Sequence, residues 1–308
     1  MASRVILTGA SGFVGRQICT ALVGRGHQVI ALSRHQHGGR GGGESTKGVQ
    51  WLCADLLGGD DLAGLMAQAQ AHHLIHAAWE VGHGTFWQAP ENFVWQRATD
   101  QLAQAFYAAG GQRFVGLGSC AEYDWSSGAV TGGTDLPWSE SRALVPGTIY
   151  GQAKAQTGTD LLALAQKMGT SAAWVRLFHL FGPGEPAARL VPSIIENIRL
   201  GRVARCGSGR AVRDFVSTWF AARAIVAVME SPVDGAINVG SGCGVRIADL
   251  AQDVANLLMR PDLLHMGALA DRSDDVAWMV ADTTRLRRVV GFDEAPDLLA
   301  DLTRMLHR

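Results

Sequence analysis

Long apolar runs are missing from this sequence of 308 residues, and none reaches the length that would let a helix cross a bilayer. Net charge is nearly absent too: 27 basic residues stand against 28 acidic ones, a formal balance of −1. That balance argues against a nucleic acid or an anionic membrane surface as the main partner. Cysteine is sparse. Cys19, Cys53, Cys120, Cys206 and Cys243 are dispersed and odd in number, which fits reduced thiols in a cytoplasmic setting better than a disulfide framework. Neither these cysteines nor the ten histidines suggest a catalytic metal. Met1-Ala2-Ser3-Arg4 leads straight into a strand-like run, so no secretory leader is expected. What is present is core: 47% of residues are hydrophobic and 18% charged, enough for one large domain or a core with a smaller appended lobe.

Short apolar runs recur through the first half, at 5–7, 29–32, 50–53, 74–77 and 114–117, with helix-length stretches between them. This rhythm predicts an α/β fold, a parallel sheet with helices on both faces, whose ligands bind at the carboxyl ends of the strands. The glycine-rich segment 35–48 reads as a flexible surface loop. Two long helical stretches follow, one over 90–109 and one running from Tyr150 through Leu161 and Leu164 to Met168. Their apolar stripes cover the sheet, with room for a second use as a subunit interface. Residues 173–178 read as another strand. Beyond them come a turn at Phe181-Gly182-Pro183-Gly184, helices over 190–200 and 215–229, a glycine-rich basic stretch over 202–213, and a strand over 236–239. A second lobe that interleaves with the first is expected: 1–178 with a return near 214–240, and 179–308. No internal repeat is evident.

The motif TGASGFVG fills positions 8–15 between a strand-like run and a helical pattern. Gly9, Gly12 and Gly15 permit a tight turn and close backbone approach to a diphosphate, and the helix that follows turns free N–H groups toward the anion. Ser11, Phe13 and Val14 complete this dinucleotide loop. The second strand ends at Ser33-Arg34, where an acidic residue commonly accepts bonds from the ribose of NAD. Serine can donate to a 2′-phosphate and arginine can pair with it, so NADP is favoured, with NAD possible. The alternative is a solvated Arg34, or one that stacks on adenine. Asp55-Leu56 fits an adenine-edge contact or an ordinary loop, and Ala77-Ala78 lets the backbone pass close to a cofactor.

Tyr150 and Lys154 stand one helical turn apart on one face. A phenol titrates at about 10, and a neighbouring ammonium favours the phenolate. Ser119, just beyond the fifth strand, is placed to hold a substrate oxygen. Ser119, Tyr150 and Lys154 in this order after a phosphate loop suggest hydride transfer at a carbonyl or carbinol carbon.

These residues match a known group. The chain resembles the extended short-chain dehydrogenase/reductases, the nucleotide-sugar epimerase/dehydratase/reductase family. The likeness runs through TGASGFVG, GSCAEYDW (118–125), YGQAK (150–154), RLFHLFGPG (176–184), Arg213-Asp214-Phe215 and Asn238-Val239-Gly240-Ser241-Gly242. It implies a Rossmann-type doubly wound sheet, a smaller C-terminal substrate domain and a homodimer built on the two long helices. Where family dehydratases carry an acidic pair after the catalytic hydroxyl residue, this chain has Cys120-Ala121, which argues against 4,6-dehydration. His179 replaces the family's usual Asn and can still bond a substrate diphosphate. Phe181 replaces its usual Tyr. Arg213 can grip two diphosphate oxygens, or be a solvated loop arginine. Trp79 and Glu122 can line a sugar pocket or simply pack, as can Glu80, His83, Trp87, Tyr123 and Trp125.

The leading expectation is an NADPH-dependent reductase of a nucleotide-linked 4-keto(-6-deoxy) sugar, using Tyr150, Lys154 and Ser119. A nucleotide-sugar 4-epimerase is the alternative. A reductase of a non-sugar carbonyl and a non-catalytic NADP-binding sensor rank below both.

Overall fold

The computed structural model describes residues 2–34, 48–82, 84–125, 136–271 and 276–307. Residues 35–47 of the expected loop at 35–48, and His83, lie outside the described residues. The first half runs β1 (Arg4–Thr8), α1 (Gly15–Gly24), β2 (Gln28–Ser33), β3 (Val49–Cys53), α2 (Leu62–Ala69), β4 (His73–His76), α3 (Glu91–Ala108) and β5 (Arg113–Ser119). There follow α4 (Ile149–Met168), β6 (Ser171–Leu177), β7 (His179–Phe181), α5 (Leu190–Arg199), β8 (Ala204–Arg205), β9 (Val212–Ser217), α6 (Thr218–Glu230) and β10 (Gly235–Val239). The chain closes with β11 (Gly244–Arg246), α7 (Ile247–Leu257), β12 (Leu264–His265), β13 (Trp278–Met279), α8 (Thr284–Arg288) and α9 (Leu298–Leu306).

Seven strands form one sheet in the order β10-β6-β5-β4-β1-β2-β3, and every pairing in it is parallel. Side chains alternate across it because successive Cβ atoms point to opposite faces. Val5, Leu7, Val115 and Val175 pack with α1 and α6 on one side. Ile6, Phe114 and Trp174 pack with α2, α3 and α4 on the other. The sheet is thus covered on both faces, the Rossmann-type arrangement expected. The strand order reverses between β1 and β4, which opens a crevice at their carboxyl ends.

A four-stranded sheet, β11-β9-β13 with β7 beside β9, belongs to the C-terminal part. It adjoins a separate core of Val191, Ile194, Ile198, Leu250, Val254 and Leu302. The helix expected over 215–229 starts late, because Phe215 to Ser217 extend β9. Ser217 explains the boundary: its hydroxyl accepts from the Phe220 amide and caps α6. The Asp214 side chain, fully buried, accepts from the amides of Ser241, Gly242 and Ala281 at 2.6, 2.9 and 3.1 Å. The two late motifs therefore hold each other. Among the described residues no helix is long and apolar enough to cross a membrane.

Candidate functional site

A cavity of about 640 Å³ occupies the crevice at the strand-order reversal. Its floor is the glycine loop. Gly9 has φ +66°, and a Cβ there would lie 2.7 Å from the Ala78 amide nitrogen. A Cβ on Gly15 would lie 1.9 Å from the Gly9 carbonyl oxygen. The loop after β1 and the chain after β4 thus touch through backbone, which leaves the concavity that a dinucleotide diphosphate requires. Gly9, Ser11, Gly12, Phe13, Val14, Gly15, Ser33, Arg34, Leu56, Ala77 and Ala78 all line the cavity. Asp55 does not. Its carboxylate accepts from the Leu57 amide at 3.0 Å and closes its own turn.

Under this floor lies a histidine that sequence reasoning passed over. Thr8 Oγ1 accepts from the Ala78 amide at 3.2 Å, so its proton goes to His76 Nδ1 at 2.8 Å. Thr99 Oγ1 donates to the Trp95 carbonyl at 2.8 Å and accepts from His76 Nε2 at 3.0 Å. Both contacts fix one neutral tautomer. Burial, then the charge of Lys154, lowers His76 to about 3.

Ser119, Tyr150 and Lys154 come together at the inner end of the same cavity. Thr148 caps α4 by accepting from the Gly151 amide, which starts the helix at the point that buries Tyr150 and Lys154 on one face. Phe86 and Trp87 clamp the Tyr150 ring edge-on, at centroid distances of 4.9 and 5.7 Å. Lys154 Nζ donates to the Leu117 carbonyl at 2.8 Å and lies 3.6 Å from the centre of the Trp79 ring. It is 6.0 Å from the centre of the Tyr150 ring. Burial lowers Lys154 to about 7, against the pull of Glu122.

The acidified phenol expected from the sequence is not what this geometry produces. Burial raises Tyr150 well above the ordinary phenol value, opposed by the nearby Ser119 hydroxyl, while Glu122 and Cys120 push the same way as burial. The phenol is protonated near neutrality and available as a donor. Ser119 Oγ also accepts from the Ala121 amide at 3.1 Å, which fixes its direction.

The expected substrate residues divide. Trp79 and His179 line the cavity. His179 is lowered to about 3 by burial, Arg213 and Arg189, and its buried Nδ1 has no hydrogen-bond partner among the described residues. Glu122 is elsewhere: it is fully buried and its carboxylate accepts from Ser119 N at 2.7 Å, Trp174 Nε1 at 2.9 Å and Arg176 Nε at 2.7 Å. It therefore does not face a sugar. Arg213 is 4% exposed and donates to the Val212 carbonyl at 2.8 Å, outside the cavity lining. Besides Arg34, Arg189 lines the cavity, and it pairs with the buried Glu185 at 3.4 Å. Only its place before the apolar run that begins α5 hinted at it. Cys120 lines the cavity as well, with its thiol pushed up to about 12 by burial.

A second cavity, about 500 Å³, opens beyond the α5 N-terminus. Ala188, Leu190, Arg205, Ser208, Arg210 and Asp271 are among its walls. Arg189 lies between Ala188 and Leu190 in sequence and faces the first cavity.

Comparison with known proteins agrees with this architecture. A UDP-glucose 4-epimerase from Rhizobium meliloti (strain 1021) is 24% identical over 97% of this chain and 94% of its own length. A dTDP-6-deoxy-L-talose 4-dehydrogenase (NAD(P)(+)) from Kitasatospora kifunensis is 24% identical, covering 94% of this chain and 90% of its own. The solved UDP-N-acetylglucosamine 4-epimerase from Methanobrevibacter ruminantium M1, in complex with UDP-N-acetylmuramic acid, superposes with a TM-score of 0.85 at 22% identity, over 99% of this chain and 97% of that one. The profile of the NAD dependent epimerase/dehydratase family matches residues 5–240. With the extended short-chain dehydrogenase/reductase motifs and the covered parallel sheet, this match places the chain in the NAD-dependent epimerase/dehydratase family of enzymes.

Proposed function

We propose that this protein is an NADPH-dependent reductase of a nucleotide-linked 4-keto sugar. One observation carries the reading: buried Tyr150, with Lys154 one turn on and Ser119 beside it in the same wall, shares a cavity with a backbone cradle shaped for a diphosphate. The cradle fits a dinucleotide because side chains beyond hydrogen are excluded at Gly9 and Gly15. Ser33 and Arg34 suit its adenosine end, and among the described residues no carboxylate accompanies them in the cavity wall there, which favours the 2′-phosphate of NADP. The Kitasatospora relative, whose name gives either nicotinamide dinucleotide, is in keeping with this choice.

When bound, the reduced nicotinamide supplies the hydride. Ser119 orients the carbonyl oxygen, and Tyr150 delivers the proton to that oxygen as the carbonyl carbon is reduced. Lys154, about 7, is charged in a large fraction of molecules near neutrality and stabilises the phenolate left behind. Phe86, Trp87 and Trp79 wall the reacting end with aromatic surface, which suits the apolar face of a deoxy sugar. Arg189 takes the diphosphate, and the second cavity takes the nucleoside. Cys120 and Ala121 supply no usable acid for loss of a C6 hydroxyl, which counts against dehydration.

Epimerisation at C4 would use the same three residues, and the Rhizobium relative favours it. Supplying NADPH with UDP- and dTDP-linked 4-keto sugars separates the two. Stoichiometric loss of NADPH supports the reductase; conversion of UDP-glucose to its C4 epimer without net cofactor loss supports the epimerase and overturns the proposal. We also place a homodimer contact on the outer faces of α3 and α4, where Phe93 and Val94 remain 38% and 37% exposed. Light scattering on Phe93→Asp tests it: a shift to monomer is expected, and an unchanged mass would refute it.

A further inference from the structure

Glu122 sits behind the reacting groups, in a space kept open for it. A Cβ on Gly118 would lie 2.3 Å from Glu122 Oε1, and a Cβ on Gly158 would lie 2.6 Å from the Trp174 indole nitrogen that donates to the carboxylate. The Glu122 carboxylate closes a capping box with Ser119 and so holds the turn that carries the Ser119 hydroxyl. Its ion-pair partner Arg176 points onward, to the Tyr123 hydroxyl at 3.2 Å and the Glu140 carbonyl at 3.3 Å. Tyr123 in turn donates to Asn238 Oδ1 at 2.6 Å.

Several groups face Lys154. They are Glu122 from the turn after β5, His76 from β4, Tyr150 from its own helix, the Trp79 and Trp174 rings, and Arg176 of β6 behind Glu122. Among the described residues in this set, Glu122 alone brings negative charge. His76 is a bonded neutral ring and Tyr150 a protonated phenol.

The structure assigns Glu122 as the positioning residue of this centre: it fixes the Ser119 turn and provides the negative charge against which the Lys154 ammonium is held. The assignment rests on the reading of Lys154 and Tyr150 as the reacting pair. Glu122 opposes the effect of burial on Lys154 and reinforces it on Tyr150. Both influences favour ammonium beside phenol, the charge state from which a proton can be delivered.

The sequence has three lysines, Lys47, Lys154 and Lys167, so ε-¹³C-lysine labelling gives three side-chain signals that can be followed by NMR through a pH titration. Lys154→Arg identifies the signal of interest. In the ligand-free wild type it is expected to titrate at about 7. In Glu122→Gln the midpoint should fall by about one pH unit or more. That variant leaves Arg176 buried without its carboxylate, so Glu122→Gln with Arg176→Met, which removes both charges, is measured beside it. An unmoved midpoint in either folded variant overturns the assignment. So does failure of both variants to fold, which would make Glu122 a purely structural residue. No substrate is present in this titration, so its outcome is independent of whether the protein is a reductase or an epimerase.

Discussion

Acid should loosen the cavity floor through His76, and the effect can be sized. Burial and the Lys154 charge lower this imidazole from its ordinary 6.5 to about 3 in the folded protein. The unfolded chain takes up a proton that the folded chain refuses, so stability is intact above 6.5 and lost as pH falls toward the folded value. Between about pH 8 and about pH 5 the loss from this one site comes to about 2 kcal/mol. His76→Asn keeps a polar group in the network but does not titrate. Its stability at neutral pH will be lower, because Thr8 and Thr99 lose a well-placed partner. Its additional loss on acidification should be smaller than that of the wild type by about the same 2 kcal/mol. Urea unfolding of both proteins at the two pH values measures the difference, and His179, held at about 3 in both, cancels. Parallel losses in wild type and variant would refute the neutral, doubly bonded histidine.

Three further outcomes are expected. Gly15→Ala forces its Cβ to within 1.9 Å of the Gly9 oxygen unless the loop moves; NADPH affinity, read by nicotinamide fluorescence, should weaken about tenfold or more, and an unchanged Kd would remove the cradle from the binding site. Arg34→Ala should weaken NADPH by about tenfold or more while leaving NADH nearly unchanged, since a charge-assisted bond to phosphate contributes about 1.5–3 kcal/mol; equal effects on both would show that Arg34 does not select the phosphate. Arg189→Ala should raise KM for a nucleotide sugar with little change in NADPH binding. An unaffected KM would take the diphosphate away from this arginine.

The sheet was legible because β-α-β spacing is set locally by apolar runs and the glycines between them. The phosphate loop, Ser119, Tyr150 and Lys154 were legible because each lies at a fixed offset from a strand end or a helical turn. Which of the two roles open to Glu122 applies was not legible locally, for a physical reason. Position in sequence put it beside the Ser119 turn, but its direction depends on Trp174 and Arg176, more than fifty residues on, across a strand pairing. The boundary between β9 and α6 escaped for a similar reason. The run Phe215-Val216-Ser217 serves a strand because β7 pairs with it residue for residue. The phenol's direction of shift was invisible as well. Ordinary helical spacing places Lys154 near Tyr150, but the ammonium's preference for the Leu117 carbonyl and the Trp79 face appears only when β5 and the segment after β4 come against α4.

In the proposed reaction the Tyr150 hydroxyl is the proton source for carbonyl reduction. Tyr150→Phe, supplied with NADPH and a dTDP-linked 4-keto sugar, should consume NADPH about a hundredfold or more slowly than the wild type. NADPH should bind it with nearly wild-type affinity. Wild-type turnover by this variant would contradict the account at its centre.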